Sequence, residues 1–512
     1  MSIFIKKFWF VIIIAIISVT LRLFKLNDLF YFSYDEAIPA FVGKNLYLLH
    51  KLPLIGGVTP FGFHLPPYFY WLLSILLSLG KLHPIAWGIA SAFLSSITII
   101  LIYIVGKDFF NKRVGLYAAV LWSFSYIANL YDRHFWALYW GPILTLSTLF
   151  CLKKIINGNS KFVIPLSIAF VWAIATDPSN LVLIFLAITV YVLYRVKFKK
   201  TELLGILIII FSLLPLMFFD LRHNFANTKP LLQYLKAQKT ESRFENQDML
   251  DRTAIFANSY TRLIYPFSDN EVAKQYSYCT SFINEKYQNI PIAVSLFSLL
   301  ALTIFMLTTF KNKNGNKKVI ISLLIMIYFL GIQAYGVMFN GDIFEHYITG
   351  LFPIFLLIAA YFLSYLPKKL AYVILAIFIT ANLYKLSIAQ NSHGLLYKKQ
   401  AIKFAMTQVG DKDFSLESLS TCWKYSGYRY LFAVYGREPV KSYVDPNFGH
   451  LYGRTPISPT HPETVIAFVT HDFKQENREF YEKYALYKSH SVTDAIFGNI
   501  EVLIMDNNSG WF

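Results

Sequence analysis

Long apolar runs recur along the chain, separated by short basic stretches and by longer aromatic or mixed-charge ones. Eleven have membrane-spanning character, at positions 9–24, 84–105, 114–130, 138–151, 163–176, 181–194, 203–219, 292–310, 319–338, 347–366 and 370–386. Each predicts a helix crossing a bilayer. Arg22 and Lys25, rather than a small-residue cleavage site, follow the first run, so it reads as a retained helix and not as a signal peptide. A further apolar stretch at 67–80 is short for a crossing and better suits an interfacial or re-entrant helix. The runs stop near Gln390. Beyond it the pattern predicts helices at 394–406 and 474–484 and strands at 464–470 and 500–505. The expected architecture is an α-helical polytopic membrane protein of about eleven spans, residues 1–389, followed by a small soluble α/β domain, residues 390–512.

Composition agrees with a membrane protein: the chain is 56% hydrophobic, with a mean hydropathy of +0.46. The formal charge of +17 invites a nucleic-acid reading, but its distribution argues against one. One set of loops carries 18 of the basic residues, among them Lys107, Lys112, Arg113, Lys153, Lys154, Arg195, Lys200, Lys317 and Lys368, against Asp108 and Glu202, a net +16. The rest of the chain sums to +1. This is the positive-inside bias, and it predicts that those loops and the N-terminus are cytoplasmic. A crossing at 67–80 would turn every later basic loop outward, so this stretch is expected to lie on the outer surface. Outer loops at 25–83 and 221–291 and an extracytoplasmic C-terminal domain follow. Cys279 and Cys422 would then share an oxidising side, where either a bridge or two free thiols is open.

The middles of the spans lack Asp, Glu, Lys and Arg, which ion-coupled transporters usually place at mid-depth. Ionisable residues crowd the outer ends instead. Asp35-Glu36 follows the first span, Asp132-Arg133-His134 the third and Asp177 the fifth. Asp220-Leu221-Arg222-His223 follows the seventh, and Asp342, Glu345, His346 and Tyr347 lie near the start of the tenth. Taken singly these are ordinary wet loop ends. As a set of both signs beside an apolar rim they predict one shared site for a substrate that is half lipid. The tail would lie along apolar helices, the phosphate head would meet Arg and His, and a carboxylate would take a proton from an incoming nucleophile.

Four features in order resemble the C-type-fold glycosyltransferases, nearest to the protein O-mannosyltransferases and the lipid A aminoarabinose transferases. They are Tyr34-Asp35-Glu36-Ala37, His64-Leu65-Pro66-Pro67 with its aromatic helix, Tyr131-Asp132-Arg133-His134-Phe135-Trp136, and Glu345-His346-Tyr347 leading to Pro353. The resemblance covers roughly residues 1–390. It implies a polyprenyl-phosphate sugar donor, an envelope lipid, glycan or protein acceptor, and reaction at the outer leaflet. It further implies Asp35 as general base with Glu36 beside it, and Arg133, His346 and Tyr347 on the donor phosphate. His64, Asp132 and Trp136 would line the substrate. Two departures stand out: Leu65 separates His64 from Pro-Pro, and the third-span motif has one arginine where many members have two, so Arg222 or His223 is the candidate for the second.

The implied chemistry is an inverting single displacement. Glu36 is either a second catalytic acid or a group that caps a helix or pairs with a base. Arg133 is either a phosphate ligand or an interfacial cation. No His or Cys spacing for a metal is present, so no cofactor is expected, with transient Mg²⁺ or Mn²⁺ on the acidic cluster left open. The aromatic stretch 423–435 either fills a domain core or contacts the membrane part or a substrate. A transporter or lipid-linked-sugar flippase is the rival from another class. It accounts for the spans but poorly for uncharged helix centres and two long outer loops. An assembly protein whose outer domain binds a partner is the third reading.

Overall fold

The computed structural model describes the whole chain except residues 1, 33, 60–61, 237–247, 269–289, 312–316, 340–342, 392, 420–426, 454–456, 471–477, 509 and 511. Cys279, Cys422 and Asp342 therefore lie outside the described residues, as does the expected bridge. All eleven apolar runs are helical. Six helices are long and apolar enough to cross a bilayer: Ile85–Phe109, Lys200–Arg222, Ile292–Lys311, Val319–Val337, Glu345–Tyr365 and Lys368–Ile388. A seventh candidate is the pair Lys112–Phe124 and Tyr126–Arg133, bent by 64°. Trp9–Leu23, Tyr68–Leu79, Ser160–Thr176 and Pro178–Leu193 are apolar but shorter, so length alone does not fix the expected count of eleven crossings.

The first helix, Ser2–Leu23, shows how the pattern works. Val11, Ala15, Ser18 and Arg22 are buried at helical spacing, while Phe10, Ile13 and Ile16 on the other faces are exposed. In a bilayer those exposed side chains meet lipid. Elsewhere backbones pack closely: a Cβ on Gly106 would come within 2.7 Å of the Gly115 Cα, so small residues set the approach of the Ile85–Phe109 and Lys112–Phe124 helices.

The 64° bend matters for function because it carries the Asp-Arg-His motif. Ser125 leaves helical geometry, at φ −55° and ψ 123°. The groups this frees are recaptured within protein. The Tyr126 amide donates to Asn382 Oδ1 at 2.7 Å, the Ser125 hydroxyl to the Leu263 carbonyl at 2.9 Å, and Asn129 Nδ2 to the carbonyls of Ser123 and Ser125 at 2.9 and 2.8 Å. The Tyr126–Arg133 helix is thereby turned to present its end to the first helix.

The C-terminal region is α/β, as expected, with more elements than the pattern suggests. Strands β1 (Phe414–Leu419), β2 (Lys441–Ser442), β3 (Thr464–Thr470), β4 (Ser491–Phe497) and β5 (Ile500–Asp506) form one sheet in the order β2-β1-β3-β5-β4. β1 runs parallel to both β2 and β3, and β5 is antiparallel to β3 and β4. Helices Leu395–Val409 and Arg478–Ser489 flank the sheet, and Tyr428–Tyr435 follows β1. β1 and β4 escape a simple reading because β1 is buried on both faces and β4 turns Ser491, Thr493 and Ala495 inward before Phe497, while Val492 and Ile496 face outward.

This region is not packed apart from the membrane part. One continuous apolar core joins Phe30, Phe32, Phe41, Trp87 and Phe135 to Leu395, Tyr428, Tyr430, Phe432 and Phe468. Within the described part of the aromatic stretch, Tyr430 is in the core while its hydroxyl donates to the Leu82 carbonyl of the membrane part at 2.8 Å.

Candidate active site

The acidic pair opens the helix Tyr34–Leu49, which follows the first apolar helix through a short stretch. Asp35 and Glu36 occupy its first turn, where the helix dipole favours negative charge. Pro39, five residues in, supplies no amide to close onto the Asp35 carbonyl, which loosens that turn. Asp35 is half-buried at the rim and Glu36 is buried. Glu36 is hydrogen-bonded to His134 Nε2. His134 packs edge-on to Tyr31 at 5.3 Å between ring centroids and lies tilted against Trp136 at 5.0 Å. Trp136 then meets His346 at 4.9 Å, and His346 meets Tyr347 at 4.4 Å. Three segments distant in sequence therefore converge on one cluster: Asp35-Glu36, His134–Trp136 and His346-Tyr347.

Burial pushes the Asp35 carboxyl up to about 7, and the neighbouring Glu36 charge pushes the same way, against the opposing pull of His134 and His346. A carboxylate poised near neutrality beside two imidazoles is the arrangement a general base needs. Next to His346, Glu345 is fully buried and ion-paired to Arg262, on the helix Met249–Ile264. That pair anchors the backbone from which His346 projects.

Several expected residues have other work. Arg133 is 1% exposed, and its guanidinium donates to the carbonyls of Arg22 at 3.0 Å, Leu21 at 2.5 Å, Phe24 at 2.9 Å and Asn129 at 3.4 Å. It caps the C-terminal turn of the first helix, whose carbonyls would otherwise be buried and unpaired. The expected phosphate role is not the one this geometry serves. Asp132 is likewise occupied, pairing with the buried Arg22 at 2.5 Å, and does not line a substrate surface. This pair and the Arg133 cap lock the bent helix to the first, which sets where His134 and Trp136 lie.

His64 sits in a small hairpin, its Nδ1 3.1 Å from the Gly56 carbonyl, and burial lowers its pKa. Its backbone is held by Asn227, whose amide in turn donates to Asp220 at 2.7 Å. His64 thus ties the 25–83 and 221–291 segments together, and its hydrogen bonds run to Gly56 and Asn227 rather than to the acidic pair. Asp220 caps the turn through Thr228 as well, at 2.5 Å. Arg222 and His223 are exposed, with His223 hydrogen-bonded to the Phe219 carbonyl at 2.8 Å, so neither supplies the second arginine of the motif to this cluster.

Four residues of the site region carry no expected role in the sequence: His134, Arg22, Arg262 and Lys398. Lys398 belongs to the C-terminal helix Leu395–Val409, is 4% exposed, and donates to the Phe32 carbonyl at 2.7 Å. Burial pulls its pKa down to about 7, with the Glu36 charge opposing. Arg22 is visible in the sequence as a charge in the last turn of an apolar helix. Lys398, next to Lys399 on a mixed helix, gives no such signal. Among the described residues, no three His, Cys, Asp or Glu side chains gather as metal ligands.

With this geometry in place, likeness to known proteins becomes informative. The family model for dolichyl-phosphate-mannose-protein mannosyltransferase matches residues 64–219. The structure of ArnT from Cupriavidus metallidurans bound to undecaprenyl phosphate superposes with a TM-score of 0.61 at 8% identity, covering 97% of this chain and 98% of that one. Its fold is that of the C-type glycosyltransferases. The apo form of the same ArnT gives a TM-score of 0.61 at 10% identity, covering 98% of each chain. The oligosaccharyltransferase of Archaeoglobus fulgidus with zinc and sulfate gives 0.46 at 11% identity, over 90% of this chain and 67% of that one. No curated protein sequence matches. The match to ArnT runs the whole length, so the sheet region belongs to the shared architecture, and the chain is a multi-pass membrane protein of C-type fold.

Proposed function

We propose that this protein is an integral membrane glycosyltransferase that moves a sugar from a polyprenyl-phosphate donor to an envelope lipid, glycan or protein acceptor on the outer face of the membrane. The observation that carries the reading is the Asp35 carboxyl, poised near neutrality beside Glu36 and the His134–Trp136–His346 stack at the ends of apolar helices. Asp35 takes the proton from the acceptor hydroxyl or amine as its oxygen or nitrogen bonds to the anomeric carbon. The bond from that carbon to the phosphate oxygen breaks, and polyprenyl phosphate leaves with the electron pair. The configuration inverts because a single displacement occurs.

Glu36 is not a second base in this scheme. Paired to His134, it holds that ring and keeps the Asp35 proton affinity high. With Arg133 committed to a helix end, His346, within electrostatic reach of Asp35, and Tyr347, packed against His346, are the groups assigned to meet the donor phosphate. The undecaprenyl phosphate named with the matched ArnT and the dolichyl-phosphate-mannose named in the family model support a lipid-phosphate donor. The positive-inside charge split supports the outer orientation. No resident cofactor enters the scheme; a transient divalent ion would reveal itself as activity lost on chelation and restored by Mg²⁺ or Mn²⁺.

The test uses detergent-purified protein, a fluorescent polyprenyl-phosphate sugar and a mixed pool of peptide, glycan and lipid A-type acceptors. Release of polyprenyl phosphate coupled to sugar on an acceptor is the expected result. Movement of intact donor across reconstituted vesicles, without bond cleavage, would replace this reading with a flippase.

A further inference from the structure

Residues 30–32 form the short link between the first apolar helices and the helix that carries the acidic pair. The C-terminal domain grips this link at two residues, Phe30 and Phe32. The Leu395 amide donates to the Phe30 carbonyl at 3.0 Å. The Lys398 ammonium donates to the Phe32 carbonyl at 2.7 Å. The Phe32 ring lies between Trp87, 6.3 Å away, and Tyr430 of the C-terminal domain, 5.6 Å away. Between these, the Tyr31 ring packs on His134, the partner of Glu36. Further along the same helix, Asn45 donates to the Leu451 carbonyl at 2.9 Å and Lys44 pairs with Glu438. The acidic helix is therefore clamped at both ends by the sheet domain.

A buried ammonium is costly unless it does something for its surroundings. Lys398 has a carbonyl to bond, the Tyr428 ring face 5.3 Å away, and the Glu36 charge within electrostatic reach. A neutral polar side chain would meet the carbonyl. Only a cation also interacts favourably with the Glu36 charge.

We propose that Lys398 is a positioning residue for the transfer reaction, supplied by the C-terminal domain, which holds the 30–32 link and balances Glu36 so that Asp35 faces the reacting centre. The active site is thus built from both parts of the chain. The inference rests on the reading of Asp35 as general base. Lys398 touches no reacting atom; it acts through the Phe32 carbonyl and through Glu36.

The experiment compares the full-length wild type with Lys398→Met, Lys398→Gln, Lys398→Arg and Asp35→Asn, reading turnover and donor KM in the transfer assay and melting temperature in detergent. Misplacing a catalytic group by about 1 Å can cost about 100-fold. Lys398→Met is expected to lower kcat by roughly 10- to 100-fold with donor KM held within about twofold, and Lys398→Arg to recover most of that loss. Lys398→Gln keeps a donor without the charge and is expected to fall between; it replaces Met as the test if Met does not fold. Turnover of the folded Met or Gln variant within about twofold of wild type overturns the inference, as does a rise in KM with kcat unchanged. Asp35→Asn separates the two levels. If it is active, the reading of the site fails; if it is inactive while Lys398 variants match wild type, only the role of Lys398 fails.

Discussion

Replacing Asp35 by Asn should inactivate the protein and, at alkaline pH, make it more stable. Asn matches the shape of the carboxyl but cannot accept a proton from the acceptor. General-base catalysis contributes about 10²- to 10⁴-fold, so turnover should fall at least about 100-fold while donor binding persists. The stability effect comes from the same burial that tunes the base. The carboxyl titrates at about 7 in the folded protein against 3.8 in an exposed chain. Stability supplied by the neutral form is complete below pH 4 and is lost as the pH rises through 7. Between pH 5 and pH 8 the folded state ionises by about one decade and the unfolded state by about three. At 1.36 kcal/mol per decade the difference is about 3 kcal/mol, an upper value because Asp35 keeps part of its surface in solvent.

Asn has no such term, so the melting temperature of the variant should exceed that of wild type at pH 8 by more than it does at pH 5. The assay pairs release of polyprenyl phosphate with thermal melts at both pH values in one detergent. More than about a tenth of wild-type turnover would remove Asp35 from the base role. An identical pH dependence of melting in the two proteins would show that Asp35 is an ordinary surface acid, whatever its activity.

Three further outcomes follow from the same geometry. Glu36→Gln removes a charge that raises the Asp35 pKa, so the acid limb of kcat/KM should move below pH 7. The other charges facing Asp35, His134 and His346, pull in that direction too, and an unmoved limb would refute the coupling. Arg133→Lys cannot span four carbonyls, so it should destabilise the fold by about 2–4 kcal/mol while the donor KM of the folded fraction stays unchanged; weakened donor binding with full stability would restore the phosphate role. Cysteine at position 450 should react with an impermeant reagent on whole cells and cysteine at 112 should not, and the reverse would invert the orientation drawn from the basic loops.

Most of the fold was legible because a bilayer is a demanding solvent. It forces each crossing to be a long apolar helix, and every apolar run in the sequence is helical in the structure. The cluster was legible where its residues crowd helix ends, as with Asp35, Glu36, His346, Tyr347 and Trp136. Other assignments fail for a common reason. Sequence position places Arg133 and Asp132 at the correct end of a helix, but it cannot say which way a side chain turns. The bend at Ser125 turns both inward, onto the carbonyls and the arginine of the first helix. His64 is similarly redirected, by Asn227, into joining two loops. Lys398 was invisible because its importance depends on a contact with Phe32, 366 positions away.

The boundary at residue 390 marks a change of composition, and the core does not respect it. Phe32 and Tyr430 pack together across it, as do Phe41 and Tyr452 at 5.0 Å. A domain whose apolar core includes the link to the acidic helix cannot move away without moving Asp35. For the proposed reaction, with the acceptor arriving from water and the donor from the bilayer, this arrangement has a physical use. On that reading the sheet domain faces the aqueous side, and the apolar helices face lipid. The acidic helix lies between them, gripped by both. On that reading the base is referenced to the two phases from which its substrates come, and the rigidity of that reference rests on buried pairs, Arg22–Asp132 and Arg262–Glu345 in the membrane part and Lys398–Phe32 at the junction.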